Sequence, residues 1–188
     1  FDRRLREVPR AHETALPATR SAAVRVRFQD GWLLYGDLAY EFELPWNDGA
    51  GLSSELIAVP LARPAEPRRV RLPHNLVSIG EAGRFAFATG YRDRSGLMLS
   101  IVDLRDQPRL VSTLLIEGRR QQSGSAERIS VRGAGGGSLR IDVPTVDADA
   151  VLPEGPRGDR PGESVPVWVA PDGTLRLAHP DPQPAVRR

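Results

Sequence analysis

Gly31-Trp32-Leu33-Leu34-Tyr35 is the stretch that decides the fold, because its pattern returns twice further along the chain. The two related stretches are Gly83-Arg84-Phe85-Ala86-Phe87 and Gly137-Ser138-Leu139-Arg140-Ile141. In each of them a glycine leads into apolar residues at strand-like spacing, which indicates a β-strand after a turn. Their first residues lie 52 and then 54 positions apart. Such a period is typical of propeller blades and similar arrays rather than of helical repeats.

Each copy predicts four strands separated by turns rich in Gly, Pro and Asp. Val24 to Phe28 and Trp32 to Leu38 read as a hairpin around Gln29-Asp30-Gly31. The other expected strands are 56–61 and 68–72 in the first copy, 76–79, 85–91, 97–104 and 110–116 in the second, and 129–132, 139–146, 165–169 and 174–177 in the third. No segment keeps a helical period, so an all-β architecture is predicted. A β-sandwich of short strands is the competing arrangement.

We therefore expect β-propeller blades of four antiparallel strands, about three of them, at residues 24–73, 74–118 and 119–179. Residues 1–23 read as an N-terminal arm or the outer strand of a preceding blade, and residues 180–188 as a polar tail. A closed propeller needs about 4 to 8 blades. Together with the first residue, Phe1, this leads us to expect part of a larger ring.

The composition narrows the possible functions. All 26 basic residues are arginine, but 24 acidic residues interleave with them and leave a formal net charge of +2. We therefore expect no dedicated nucleic-acid partner, which would call for a concentrated basic stripe. The chain has no cysteine, which excludes disulfides and thiolate chemistry within it. No apolar stretch approaches the roughly 18 residues of a membrane span, so no membrane insertion is expected.

One stretch adds a resemblance to a known family. Residues 96–111, Gly-Leu-Met-Leu-Ser-Ile-Val-Asp-Leu-Arg-Asp-Gln-Pro-Arg-Leu-Val, resemble the LVIVD-type repeat of bacterial secreted or cell-surface β-propeller proteins. A fainter echo is Leu56-Ile57-Ala58-Val59-Pro60-Leu61, with Pro60 where Asp103 stands. The resemblance implies a propeller in an extracellular or cell-envelope setting, with any signal upstream of residue 1. It brings no catalytic residues, because the family is defined by its blades.

Two groups of residues are candidates for binding. Tyr40, Phe42 and Trp46 lie in the long connection of the first copy, where aromatic side chains form a contact patch or pack down on their own blade. Arg119 and Arg120 follow the second copy and suit an anion, the alternative being an ordinary loop between blades. Binding contacts are expected in the long loops 39–54 and 147–162, since loops vary while strands are committed to packing.

The remaining residues that could carry chemistry are expected to have structural roles. His74 lies in the link between the first two copies, where it is expected to hydrogen-bond within the blade, with Thr89 or Asp93 as partner. Asp103, at the end of a strand, is expected to accept hydrogen bonds from a turn and is, like His74, a candidate for a structural role between blades. The glycines from Gly133 to Gly137 are expected to form a hairpin turn, since no Lys and Ser/Thr follow them as in a phosphate loop. No metal site, cofactor or catalytic residue is assigned.

The sequence thus favours a non-catalytic β-propeller binding or scaffold module, because it contains no nucleophile, base and orienting group at recognisable spacing. Its expected partners are a protein or an extracellular ligand, together with further propeller blades in the same precursor or another chain. The alternative is a portion of a propeller enzyme, a hydrolase or lyase, whose axial site is completed by blades outside this sequence.

Overall fold

The structure, a computed structural model, describes residues 15–19, 24–37, 53–121, 128–147 and 163–177. These residues form thirteen β-strands in three antiparallel sheets and include no α-helix. The all-β prediction with antiparallel sheets is therefore confirmed, and two of the three sheets have the expected four strands while the third has a fifth. In the same ranges, no helix of the length and apolarity of a membrane span is found.

The first sheet is a meander of β1 (Val24–Gln29), β2 (Trp32–Asp37), β3 (Ser54–Pro60) and β4 (Arg68–Leu72). Positive φ angles of 47° at Asp30 and 79° at Gly31 mark the two-residue turn between β1 and β2. Both central residues of a type I′ turn need this backbone, and its twist matches that of the strands it joins. The predicted first hairpin is confirmed.

The second sheet is a meander of β5 (Ser78–Ala82), β6 (Phe85–Gly90), β7 (Gly96–Asp103) and β8 (Arg109–Glu117). Every residue of β6 and β7 is buried. In an antiparallel sheet with one face in water, alternate residues would be exposed. The second sheet is therefore covered on both faces.

The third sheet contains β9 (Arg119–Gln121), β10 (Ser130–Gly133), β11 (Leu139–Asp147), β12 (Glu163–Val169) and β13 (Leu175–Leu177). Its order is β10-β11-β12-β13, and β9 pairs with the far end of β11. The glycines from Gly133 to Gly137 connect β10 to β11, and those at 135, 136 and 137 have positive φ. The predicted hairpin turn is confirmed.

The three sheets stack face to face in chain order. Between the first two sheets lies a core of Leu34, Leu56, Ala58, Val70, Leu72, Leu76, Ala86, Ala88, Val102 and Leu104. Between the second and third lies a core that includes Phe85, Phe87, Leu99, Ile101, Ile141, Val143, Val167 and Val169. Corresponding strands adjoin, since β1 lies beside β5 and β4 beside β8. The described residues do not form a closed ring, and the propeller arrangement stays a prediction.

The predicted end of the first strand of the second copy is wrong. Gly80 was expected in a turn, but it lies within β5 opposite Phe87 of β6. A Cβ at Gly80 would come within 2.0 Å of the Phe87 Cζ atom. The residue is glycine because the aromatic ring lies over it. The turn lies at Gly83 and Arg84 instead, with a φ of 60° at Gly83.

The alternative given for Arg119 and Arg120, an ordinary loop between blades, is also wrong. Residues Arg119 to Gln121 form β9, paired with Thr145 to Asp147 of β11. The pairing is held by ion pairs of Arg119 and by burial of Gln121, neither of which is visible in the local sequence pattern.

We predict that Gly80→Ala lowers the free energy of unfolding by about 2 kcal/mol, because the new methyl group overpacks the Phe87 ring. Urea denaturation measures this change. Gly133→Ala is the matched control, since a Cβ at this strand glycine meets nothing within 4 Å, and it should change stability by less than about 0.5 kcal/mol.

Phe87→Leu removes the ring that blocks the new methyl group. The cost of Gly80→Ala should therefore be smaller in a Phe87→Leu background, as expected for residues in contact. An equal cost in both backgrounds would contradict the proposed clash.

Candidate functional site

A buried polar centre lies where the chain passes from the first sheet to the second. His74, in the link between β4 and β5, has no exposed surface. Its Nδ1 atom lies 2.5 Å from the carbonyl oxygen of Asn75, and its Nε2 atom lies 2.8 Å from Oγ of Ser100. A carbonyl only accepts hydrogen bonds, so Nδ1 carries the proton and Nε2 accepts from Ser100.

This assignment orders a chain of hydroxyl groups. Because Ser100 gives its only hydroxyl proton to His74, it accepts from Oγ1 of Thr113, 2.8 Å away on β8. The chain runs from Thr113 through Ser100 to His74 and ends on the backbone. The predicted partners of His74 are wrong: Thr89 bonds to Ser78 and Gln121, and Asp93 bonds to Ser95. Ser100 is missing from the sequence-based expectation because it comes from β7, 26 positions away.

A serine that donates to a histidine is the geometry of an activated nucleophile. Here, however, Ser100 has no exposed surface, and the second nitrogen of His74 is bonded to a backbone carbonyl rather than to a carboxylate. A substrate would reach this serine only if the sheets opened. The arrangement anchors the link between the sheets to the middle of the second sheet.

Burial lowers the pKa of His74, and the hydrogen bond to the Asn75 carbonyl offsets part of this effect. The neutral imidazole is therefore the form that the folded protein favours. Protonation would also take the lone pair of Nε2, which accepts the hydrogen bond from Ser100.

A second polar centre joins the second and third sheets. Gln121 of β9 accepts a hydrogen bond from Thr89 Oγ1 at 2.7 Å, and its backbone N–H donates to the Tyr91 hydroxyl at 2.7 Å. Ser78 completes the centre, 2.5 Å from Thr89. All four side chains are buried. Buried polar groups of this kind fix how two sheets meet, since a shift would leave them unpaired.

Asp103 lies at the end of β7, in the turn to β8. The Arg105 side chain donates to both of its carboxylate oxygens, with the shortest contact 2.7 Å, and the Arg105 backbone N–H also donates. The expected acceptance from a turn is thus present. These hydrogen bonds from Arg105 lower the pKa of Asp103, against the opposing effect of burial. Arg105 lies in the turn between β7 and β8, so these hydrogen bonds of Asp103 stay within the second sheet.

The two arginines proposed for anion binding lie on β9. Arg119 contacts the carboxylates of Asp147 and Glu163 at 3.0 and 2.6 Å, so it ties β9 to β11 and β12. Arg120 pairs with Val146 of β11. The structure therefore gives Arg119 a structural role. Tyr40, Phe42 and Trp46 lie outside the described residues.

The structure shows a surface that the sequence did not reveal, the outer face of the third sheet. Strand register aligns four residues across it, since Arg140 is opposite both Arg132 and Trp168, and Trp168 is opposite Arg176. Their strand neighbours Val131, Ile141, Val167 and Leu175 pack inward on the second sheet. We call these four residues, Arg132, Arg140, Trp168 and Arg176, the arginine–tryptophan row.

A buried carboxylate lies beside the row. Asp142 is 5% exposed and accepts hydrogen bonds from Arg132 Nη2 and Arg140 Nε, each at 2.8 Å. The two arginine side chains remain 67% and 42% exposed. Asp142 therefore orients two guanidinium groups at the surface without removing them from solvent.

Comparison with family models, curated proteins and solved structures gives no match for this chain. Within the described ranges, no group of three or more His, Asp or Glu side chains is arranged to hold a metal ion. The two buried polar centres and the outer face of the third sheet are therefore the features of the described residues that bear on function.

We predict that the protein loses stability as the pH falls below the ordinary histidine pKa of about 6.5. The pKa of His74 is lowered on folding, so the unfolded chain takes up the proton first, and the stability lost approaches about 1.4 kcal/mol per pH unit. Urea denaturation between pH 5 and 7.5 measures it. The lowered pKa values of Asp93 and Asp103 act only below about pH 4.

The control is His74→Asn, which replaces the titrating group by a neutral one. Its stability should vary less over this pH range than that of the unaltered protein. An equal pH dependence in both proteins would assign the effect to other groups.

Proposed function

We propose that the chain is a non-catalytic binding or scaffold module built from propeller-type blades, and that it binds its partner through the outer face of the third sheet. The proposal is supported by a difference between the polar groups buried between the sheets and those on the outer face of the third sheet. The buried ones are committed to hydrogen bonds that join the sheets, whereas the arginine–tryptophan row has exposed side chains. An extracellular or cell-envelope setting in a bacterium belongs to the same proposal.

The blade assignment is supported by how the sheets repeat. Consecutive stretches of the chain form consecutive four-stranded meanders, and both interfaces are made by the broad faces of the sheets. Trp32 packs between the first two sheets and donates from Nε1 to the Leu104 carbonyl at 2.9 Å. The same stacking, continued by further sheets, would produce a propeller.

The second candidate function is a hydrolase within a propeller, and the contact between Ser100 and His74 is what favours it. We rank it second because the serine is fully buried and the imidazole is oriented by a backbone carbonyl. An acyl-transfer site also needs room for the substrate beside the nucleophile.

A fluorophosphonate probe, which reacts with activated serines, separates the two functions. We expect no covalent labelling of the folded protein, and mass spectrometry measures it. Labelling that disappears in Ser100→Ala, while Ser112→Ala still labels, would support the hydrolase and contradict a purely binding role.

Further blades are the other proposed partner, and they would add to the outer face of the first sheet. Part of that face is already covered, since Leu33, Tyr35, Ile57 and Val59 are buried and the Tyr35 hydroxyl donates to the Pro17 carbonyl oxygen at 2.8 Å. The side of the face at β1 is open, because register places Val26 and Phe28 there, 53% and 65% exposed. Because about half of each side chain is already buried, covering the rest favours association by about 1 to 2 kcal/mol each.

We therefore predict that the chain self-associates at high concentration, and that a Val26→Ser, Phe28→Ser variant does so less, as measured by light scattering. Leu61→Ser is the control, since Leu61 is 50% exposed in the turn after β3. A monodisperse monomer that melts cooperatively would argue against missing blades and for a complete domain.

A further inference from the structure

The charges of the outer face of the third sheet indicate what kind of partner it takes. We propose that the arginine–tryptophan row binds an acidic, extended polypeptide segment, an inference that rests on the proposed binding function. Two of the three arginines, Arg132 and Arg140, pair with the carboxylate of Asp142, and the third, Arg176, interacts electrostatically with Asp172. The row therefore keeps a positive charge after this internal pairing.

The row has the dimensions of a short peptide site. Its four residues lie on four consecutive strands, β10 to β13. Neighbouring strands are about 4.8 Å apart, so the row spans about 14 Å, the length of about four extended residues. Each strand contributes one side chain, and a chain lying across the strands would meet them in succession.

The arginines keep donors that a carboxylate can use. A guanidinium group has five N–H donors, and the bonds to Asp142 are made by Nη2 of Arg132 and Nε of Arg140. The contact with Asp142 shows that an arginine of the row can donate a hydrogen bond to a carboxylate oxygen at 2.8 Å. Arginine and carboxylate also match in shape, which makes their hydrogen bonds stronger than those between neutral groups.

Trp168 gives the row an apolar element. It is 37% exposed between Arg140 and Arg176 in register, and the neighbouring outward residue of β12 is Pro166. Tryptophan and arginine are enriched among the few residues that contribute most of the binding energy of protein interfaces. The combination fits a polypeptide with both carboxylates and apolar side chains.

Two other occupants fit less well. Another blade would bury the three guanidinium groups, at the cost of removing from water positive charges that Asp142 balances only in part. A nucleic acid carries a phosphate at every nucleotide and is bound mainly by many basic contacts, whereas this row offers three arginines and an acidic neighbour. The acidic polypeptide is therefore the occupant that the observations favour.

The test uses a fluorescent synthetic peptide that alternates Glu and Ser, with a Gln and Ser peptide as its uncharged match. We expect the Glu peptide to bind at low salt, and fluorescence anisotropy measures its dissociation constant. Binding should weaken about threefold to tenfold in Arg176→Gln and in Trp168→Ala. Neither substitution removes Arg132 or Arg140, the two hydrogen-bond partners of Asp142.

Arg71→Gln is the matched control, because Arg71 is an exposed arginine on β4, the last strand of the first sheet, as Arg176 is on the last strand of the third. It should bind the Glu peptide as the unaltered protein does. Cooperative thermal melting of each variant checks that the fold is kept. Equal binding of the Gln peptide, or equal loss in Arg71→Gln, would overturn the proposal.

Two further probes distinguish the acidic-polypeptide proposal from the proposed function, in which the outer face binds a partner of any chemistry. If oligothymidylate or polygalacturonate binds at Trp168 and the Glu peptide does not, the acidic polypeptide is wrong while the binding face stands. If none of the three probes binds there, both this inference and the assignment of the binding function to this face fail.

Discussion

The structure depends on one constraint, which is that the second sheet has no face toward solvent. Its two central strands, β6 and β7, are buried at every position. Alternate residues of β6 point to opposite neighbours, with Ala86 and Ala88 toward the first sheet and Phe85 and Phe87 toward the third. A sheet that is apolar on both faces is stable only when both are covered. The first and third sheets are thus required by the second.

Polar side chains then determine how the sheets align. One glutamine reaches into the second sheet from each side. Gln29 of β1 donates from Nε2 to the carbonyl oxygens of Gly83 and Phe85 at 2.8 and 2.9 Å, and Gln121 of β9 accepts from Thr89. Apolar contacts alone tolerate sliding, whereas a buried hydrogen bond loses its partner when a sheet shifts. The two glutamines and His74 therefore make the stacking specific.

The sequence predicted most strands, because alternation and turn residues are local signals. The errors came from contacts between distant residues. Gly80 looked like a turn residue because the ring of Phe87 that covers it is not visible in a local pattern. The sequence named Thr89 or Asp93 as the partner of His74, but its partner Ser100 depends on how the link packs against β7. The row on the third sheet was missed because it exists only once the register of four strands is known.

The basic side chains of that row are all guanidinium groups, as they must be in a chain whose 26 basic residues are all arginine. A guanidinium group keeps its charge at every pH at which proteins fold, and acetylation of lysine, a common way to neutralise a basic surface, has no target here. The positive charge of the three arginines is therefore constant. If the row binds an acidic segment as proposed, protonation of that segment's carboxylates near pH 4 or screening by salt would release it.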